Sequence, residues 1–159
     1  MSGRSTVIRI AQPNEYPVLS ALALRSKGYW GYSVEFLSAC VTELTVMPDR
    51  AMHQPVFVAV AEDRIVGFYG LDRLDDTRCE LDFLFVEPDE MAKGYGRELL
   101  EHAKTAAQQL GCTTLIIQGD PHAGTFYRAA GAKQTGHRPS SSIPDRLLPL
   151  FEIELHCAT

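Results

Sequence analysis

Cys79-Glu80-Leu81-Asp82-Phe83-Leu84-Phe85-Val86, then Glu87-Pro88-Asp89-Glu90-Met91-Ala92-Lys93-Gly94-Tyr95-Gly96, then Arg97-Glu98-Leu99-Leu100, is the stretch on which the fold turns. Its first part is aliphatic, aromatic and β-branched, with Glu80 and Asp82 alternating against Leu81 and Phe83, the pattern of a buried strand. Pro88 has no N–H for a sheet ladder and closes that strand. Further on, Leu99, Leu100, Ala103, Ala106, Ala107 and Leu110 trace the apolar stripe of an amphipathic helix, which Gly111 ends. A strand therefore feeds a helix through a short loop that holds Gly94 and Gly96.

Such a loop has a physical use. The first turn of a helix carries N–H groups without intrahelical partners and the positive end of the helix dipole, a ready seat for a phosphate or pyrophosphate. Gly94 and Gly96 let the backbone approach an anion closely, and Lys93 adds a charge beside it. The same glycines would also serve a plain strand-to-helix turn by relieving strain.

The rest of the composition bounds the class. With 159 residues, 45% of them hydrophobic, the chain is long enough for a single domain, residues 1–159, with a sizeable core. The net charge is −5 and no basic stripe is present, which argues against a nucleic-acid partner. No apolar run is long enough to span a membrane and the N-terminus lacks a signal-peptide core, so a cytoplasmic protein is expected. Cys40, Cys79, Cys112 and Cys157 form no Cys-x-x-Cys pair and read as reduced thiols. His53, His102, His122, His137 and His156 show no ligand spacing, and no metal is expected.

Taken in order, Thr6 to Ala11 predicts a first strand, and Pro13-Asn14-Glu15 opens a helix with Val18, Leu19, Leu22 and Ala23 inward. Arg25 to Tyr32 is expected to break that helix; Ser33 then caps a second one with Phe36, Leu37 and Cys40 inward. Pro55–Ala61 and Ile65–Leu71 read as an antiparallel hairpin turned by Glu62-Asp63-Arg64, with Gly67 and Gly70 marking bulges or a close approach. Thr113 to Ile117 predicts a strand buried on both faces, parallel to the strand at 79–86 through the crossover helix. A short helix with Ala123, Phe126, Tyr127 and Ala130 inward ends at Gly131, and strands follow at Ala132–His137 and Leu147–Leu155.

Two motifs in this frame carry a family resemblance. Met91-Ala92-Lys93-Gly94-Tyr95-Gly96 resembles the Gln/Arg-x-x-Gly-x-Gly/Ala loop of the GCN5-related N-acetyltransferase (GNAT) superfamily, with Met91 at the Gln/Arg position. Asp120-Pro121-His122-Ala123-Gly124-Thr125-Phe126-Tyr127-Arg128-Ala129-Ala130-Gly131-Ala132 resembles its Asn-x-x-Ala-x-x-Phe-Tyr-x-x-x-Gly-Phe segment, with Asp120 for Asn and Ala132 for Phe. The two lie in the family's order, and the segment Pro139 to Leu150 is similar to a bacterial subgroup.

The resemblance implies an α/β fold: a mixed, mostly antiparallel central sheet of about seven strands, flanked on both faces by about four helices, with a parallel pair splayed at the acetyl-CoA site. It implies that backbone groups at Leu84, Phe85 and Val86 pair with the pantetheine arm. The N–H groups of the loop Met91, Ala92, Lys93, Gly94, Tyr95, Gly96 and Arg97 hold the pyrophosphate, and Asp120, Ala123, Phe126 and Tyr127 complete the cofactor wall. Tyr127 matches the tyrosine that protonates the CoA thiolate, a role open to a phenol of pKa about 10. The connection between the first two helices overhangs the acceptor, which makes Tyr29, Trp30 and Glu35 candidate substrate contacts. A homodimer is implied as well, with the edge of the last strand, Leu147–Leu155, as the expected contact.

Acetyl transfer from a thioester to an amine needs a neutral nucleophile, a polarised carbonyl and a proton for the leaving sulfur. Glu80 and Asp82, two apart on one strand face, are the candidate bases; alternatively they pair with arginines on neighbouring strands and hold the sheet. An acidic cleft would suit a cationic amine acceptor, a small molecule or a peptide. Two other readings use the same loop. One is a non-catalytic acyl-CoA-binding sensor. The other is a dinucleotide-binding oxidoreductase, disfavoured because Leu99 stands where Gly-x-Gly-x-x-Gly needs its third glycine.

Overall fold

The computed structural model describes residues 6–47, 55–91, 93–119, 121–140 and 143–155. The strands are β1 (Thr6–Ile10), β2 (Val56–Ala61), β3 (Arg64–Arg73), β4 (Arg78–Val86), β5 (Thr114–Gln118), β6 (Lys133–Pro139) and β7 (Leu147–Glu154). The helices are α1 (Tyr16–Gly28), α2 (Val34–Leu44), α3 (Tyr95–Gln109) and α4 (Gly124–Ala129). The strands make one sheet in the order β1-β2-β3-β4-β5-β7-β6. Among the described residues β4–β5 is the one parallel pair, joined by α3 as the crossover, and the other neighbours are antiparallel. This is the mixed, mostly antiparallel seven-stranded sheet with four helices that the sequence motifs imply.

Two apolar layers fill the two faces. On one, α1 and α2 bury Tyr16, Leu19, Leu22, Cys40 and Leu44 against Val56, Val58 and Phe68. On the other, Leu99, Leu100, Ala103 and Ala107 of α3, with Tyr127 of α4, cover Tyr69, Leu71, Leu81, Leu115 and Phe151. The β2–β3 hairpin turns through Glu62 and Asp63, both at positive φ (52° and 62°), the geometry of a two-residue type I′ turn. Ser33 caps α2, its side chain accepting from the Phe36 N–H at 3.1 Å. The buried Cys40, Cys79 and Cys112 are free thiols. No helix among the described residues is long and apolar enough to cross a membrane.

Four expectations change. The helix at 16–28 continues through Arg25–Gly28, because Ser26 and Lys27 extend its buried stripe instead of breaking it. Val18 lies on the solvent face of α1, off the Tyr16–Leu19–Leu22–Ala23 line. Leu110 is exposed as well: it is the C-cap of α3, where the chain turns toward Gly111 (φ 86°) and the Arg73 guanidinium donates to its carbonyl at 2.6 Å. The last strand has no free edge. β7 is paired on both sides, with β5 and with β6, so the sheet ends at β1 and β6 and a homodimer contact along a free β7 edge is ruled out.

Candidate active site

The site begins as a defect in β4. Its register with β3 slips between Phe68↔Phe85 and Gly70↔Asp82, so two residues, Phe83 and Leu84, face the single Tyr69. Phe83 adopts φ 59°, a left-handed conformation rare for a bulky side chain. Alternation therefore changes phase: Cys79 and Leu81 face the α3 layer before the bulge, and Leu84 and Val86 face it after. Glu80 and Asp82 are left on the opposite side, the side on which Phe83 and Phe85 join the α1–α2 layer.

A fork follows from the same place. The β4–β5 ladder runs from Arg78↔Thr114 to Leu81↔Ile117 and stops, while β5 continues beside β7 at Gln118↔Leu150. Beyond Leu81 the edge of β4 opens into a cavity of about 1000 Å³. At its mouth stands the start of α3, where Gly94 is the N-cap at φ 91°, a value that glycine adopts without strain. The N–H groups of Tyr95, Gly96 and Arg97 precede the first backbone bond of that helix, from Glu98 to the Gly94 carbonyl at 3.0 Å. An open strand edge leading to a helix start fits an extended ligand with an amide-bearing arm and an anionic head.

The cavity gathers most of the residues singled out by sequence. Its wall contains Glu80, Asp82, Leu84, Phe85, Val86, Met91, Gly94, Tyr95, Gly96, Arg97, Ala123, Phe126 and Tyr127, and, from just past the end of α1, Trp30. Lys93, Tyr29 and Glu35 are not in that wall. Lys93 is turned to Glu90, its Nζ donating at 2.9 Å, and Glu35 is exposed on the first turn of α2. Tyr29 is exposed and meets the edge of the Trp30 ring at 5.1 Å. Ala92 and Asp120 lie outside the described residues.

Tyr127 is 6% exposed and tightly placed. Its ring tilts on Phe151 at 5.5 Å and meets Phe126 edge-on at 5.2 Å. Gly119 makes room for it: a Cβ there would stand 3.0 Å from Tyr127 Cε2 and 3.2 Å from Phe151.

On the other side of the fork, facing pairs put Glu80, Ile116, Gln118, Leu150, Leu148 and Arg138 on one face of the sheet. Arg138 reaches inward from β6, and its Nη1 donates to Glu80 Oε2 and to Gln118 Oε1, both at 3.0 Å. One guanidinium thus bridges the two prongs where they part, and Glu80 is ion-paired to an arginine three strands away. Lys27 of α1, 8% exposed, also lines the cavity, with its Nζ 5.6 Å from the Tyr32 ring centroid. Trp30 stacks on His122 at 5.0 Å, and Arg146 lies over Phe36 at 4.7 Å and donates to the Tyr32 hydroxyl at 2.9 Å. At the far end of β4, Glu87 is buried and accepts from Arg25 Nε at 3.1 Å, which ties α1 to the strand and raises the arginine's pKa.

Gln118, Gly119, Arg138, Lys27 and His122 were not singled out by sequence. Each acts through register or packing with residues distant in the chain, and the one local signal is Gln118, the polar residue that ends the apolar run of β5.

Known proteins share this fold. The fold matches the PaiA N-acetyltransferase of Thermoplasma acidophilum, solved in complex with coenzyme A, at a TM-score of 0.75 and 19% identity over 94% of this chain and 99% of that one. It matches a GCN5-related N-acetyltransferase from Rhodopseudomonas palustris at a TM-score of 0.80 and 20% identity, over 98% and 99%. In sequence, the peptidyl-lysine N-acetyltransferase YjaB of Salmonella typhimurium is 40% identical over 92 residues, which cover 57% of this chain and 59% of YjaB. The Escherichia coli (strain K12) protein of that name is 40% identical over 83 residues, 52% of each chain. The chain thus spans little more than half the length of these curated relatives. The model of the acetyltransferase (GNAT) family matches residues 24–132, which include the bulged strand, the α3 loop and Tyr127, and the chain belongs to that family.

Proposed function

We propose that this chain transfers an acetyl group from acetyl-CoA to a primary amine, with both bound side by side at the fork. The observation that carries the reading is the geometry of the fork itself. The open edge of β4 at Leu84–Val86 runs toward the α3 start at Gly94–Arg97, and Tyr127 stands in the same wall. The strand edge offers peptide groups to the pantetheine arm, and the helix start offers N–H groups and a dipole to the pyrophosphate. Acetyl-CoA supplies the activated acyl carbon.

The chain's own residues do the remaining work. Glu80 and Asp82 on the acceptor wall receive the amine and take its proton, directly or through a water. The nitrogen lone pair then adds to the acetyl carbonyl carbon, the C–S bond breaks, and Tyr127 gives its phenolic proton to the departing sulfur and regains one from solvent. Trp30 overhangs the acceptor. Tyr29 sets the Trp30 ring from outside, and Glu35 and Lys93 act only at the rim. Among acceptors, a peptidyl lysine is the first to test, because the YjaB relatives carry that description. The reading carries with it a cytoplasmic protein.

The test is calorimetry with CoA followed by a free-thiol assay with acetyl-CoA and lysine-bearing peptides. Heat on CoA addition together with amine-dependent thiol release supports the reading. Heat without thiol release for any amine would make the chain an acyl-CoA sensor, and no heat at all ends the proposal.

A further inference from the structure

The charges on the acceptor wall are balanced, not acidic. Glu80 and Asp82 supply two carboxylates, but Arg138 is paired to the first and Lys27, 8% exposed, stands in the same wall. A polyamine or an aminoglycoside would bring its extra cations against both. Arg138 is also only half used. Both of its hydrogen bonds among the described residues leave from Nη1, to Glu80 and Gln118, and the Nη2–Nε edge makes none there. The side chain is 39% exposed and bonded to two residues, Glu80 and Gln118, that line the cavity. A guanidinium held from behind by two acceptors has its outer fork fixed in place, which is the preorganised form in which arginine recognises a carboxylate.

Resting on the acetyltransferase reading, we propose that the acceptor of this site is an amine that also carries a carboxylate, seated with its amine at Asp82 and its carboxylate on the outer edge of Arg138. Asp82 lies two residues along β4 from Glu80, roughly 7 Å at strand spacing, and Arg138 reaches across from β6 to Glu80 Oε2 and Gln118 Oε1. That separation suits an amine at the far end of a side chain better than an α-amine next to its own carboxylate. Free lysine meets the description, and so does a peptide lysine beside an acidic residue. Arg138 is then the specificity-determining residue, and the charge of Lys27 disfavours polycations.

The experiment compares pairs that differ only in the anion. Acetyl transfer is measured by thiol release with lysine against cadaverine, and with an N-acetylated, C-terminally amidated Gly-Lys-Asp peptide against Gly-Lys-Asn blocked in the same way; spermidine serves as the polycation. The expected result is that the carboxylate-bearing member of a pair has a kcat/KM about ten- to a hundredfold higher, the size of a charge-assisted hydrogen bond. Whichever pair shows the larger ratio identifies the source, free amino acid or peptide. In Arg138→Gln the ratio should collapse toward one while Arg138→Lys keeps part of it. A merely structural arginine would lower both members alike and leave the ratio standing. Calorimetry of lysine and cadaverine on the CoA-loaded protein should show the same preference without turnover. Equal use of both members, or a preference for cadaverine or spermidine, overturns the proposal while leaving acetyl transfer intact. No thiol release with any amine would instead overturn both.

Discussion

The Tyr69 hydroxyl lies 2.7 Å from His102 Nδ1, a polar pair enclosed between β3 and α3 with the Phe57 ring 4.9 Å from the imidazole. Burial pushes the tyrosine pKa up and the histidine pKa down, so the folded chain holds Tyr69 protonated and His102 neutral. The phenol therefore donates to Nδ1, and the imidazole hydrogen sits on Nε2. A histidine with a depressed folded pKa stabilises the fold above its unfolded value of about 6.5 and loses that contribution as pH falls below it. Thermal unfolding between pH 7.5 and 5 should show a falling midpoint for the native chain and a flatter profile for His102→Gln.

Tyr127→Phe removes the phenolic proton but keeps the ring on Phe151. We expect kcat to fall about a hundredfold, the low end of general-acid contributions, with KM for acetyl-CoA unchanged. Steady-state kinetics with the best amine checks this.

Gly119→Ala tests the same residue from behind. The new methyl would stand 3.0 Å from the Tyr127 ring and displace it, so kcat should drop while CoA affinity measured by calorimetry holds. Gly136→Ala, where a Cβ meets nothing within 4 Å, is the matching control and should behave as the native chain.

Gly67→Ala is a test of the fold alone. A Cβ at that position would come within 2.9 Å of both Leu99 Cδ1 and the Phe85 carbonyl oxygen, and the backbone oxygen cannot move aside cheaply. Urea unfolding should report a loss of about 1–3 kcal/mol.

Gly94→Ala places an L-residue at φ 91°, which costs about 1–2 kcal/mol. The loop should relax away from that geometry, and CoA binding should weaken by more than in Gly96→Ala, whose Cβ makes an ordinary 3.5 Å contact with Phe126.

The elements that could be read from sequence are those whose signal is local. The β4 strand, the α3 stripe with its glycine end, the hairpin at Glu62–Asp63 and the Ser33 cap each follow from a few adjacent residues, and the structure has them. Gly67 and Gly70 read as points of close approach or bulging; Gly67 sits against the Phe85 backbone, and Gly70 borders the slip in the β3–β4 register. Other features depend on strands far apart in the chain. Alternation through 79–86 gives no warning that Phe83 breaks phase, because the bulge is defined by β3. Glu80 and Asp82 could be placed on a common face, but the arginine that engages Glu80 comes from β6, 58 residues later. Free strand edges are likewise a property of the completed sheet, and the insertion of β7 between β5 and β6 cannot be seen in its own residues.

The phase change at Phe83 makes β4 a partition with independent sides. Leu84 and Val86 pack on the α3 face and Glu80 and Asp82 lie on the other, all four in the wall of one cavity, so under the proposed function the first pair would sit beside the acyl donor and the second beside the nucleophile. On that reading, substitutions at 80 and 82 would retune which nucleophile is admitted without disturbing the grip on the acyl donor, leaving one half of the chemistry steady while the other varies.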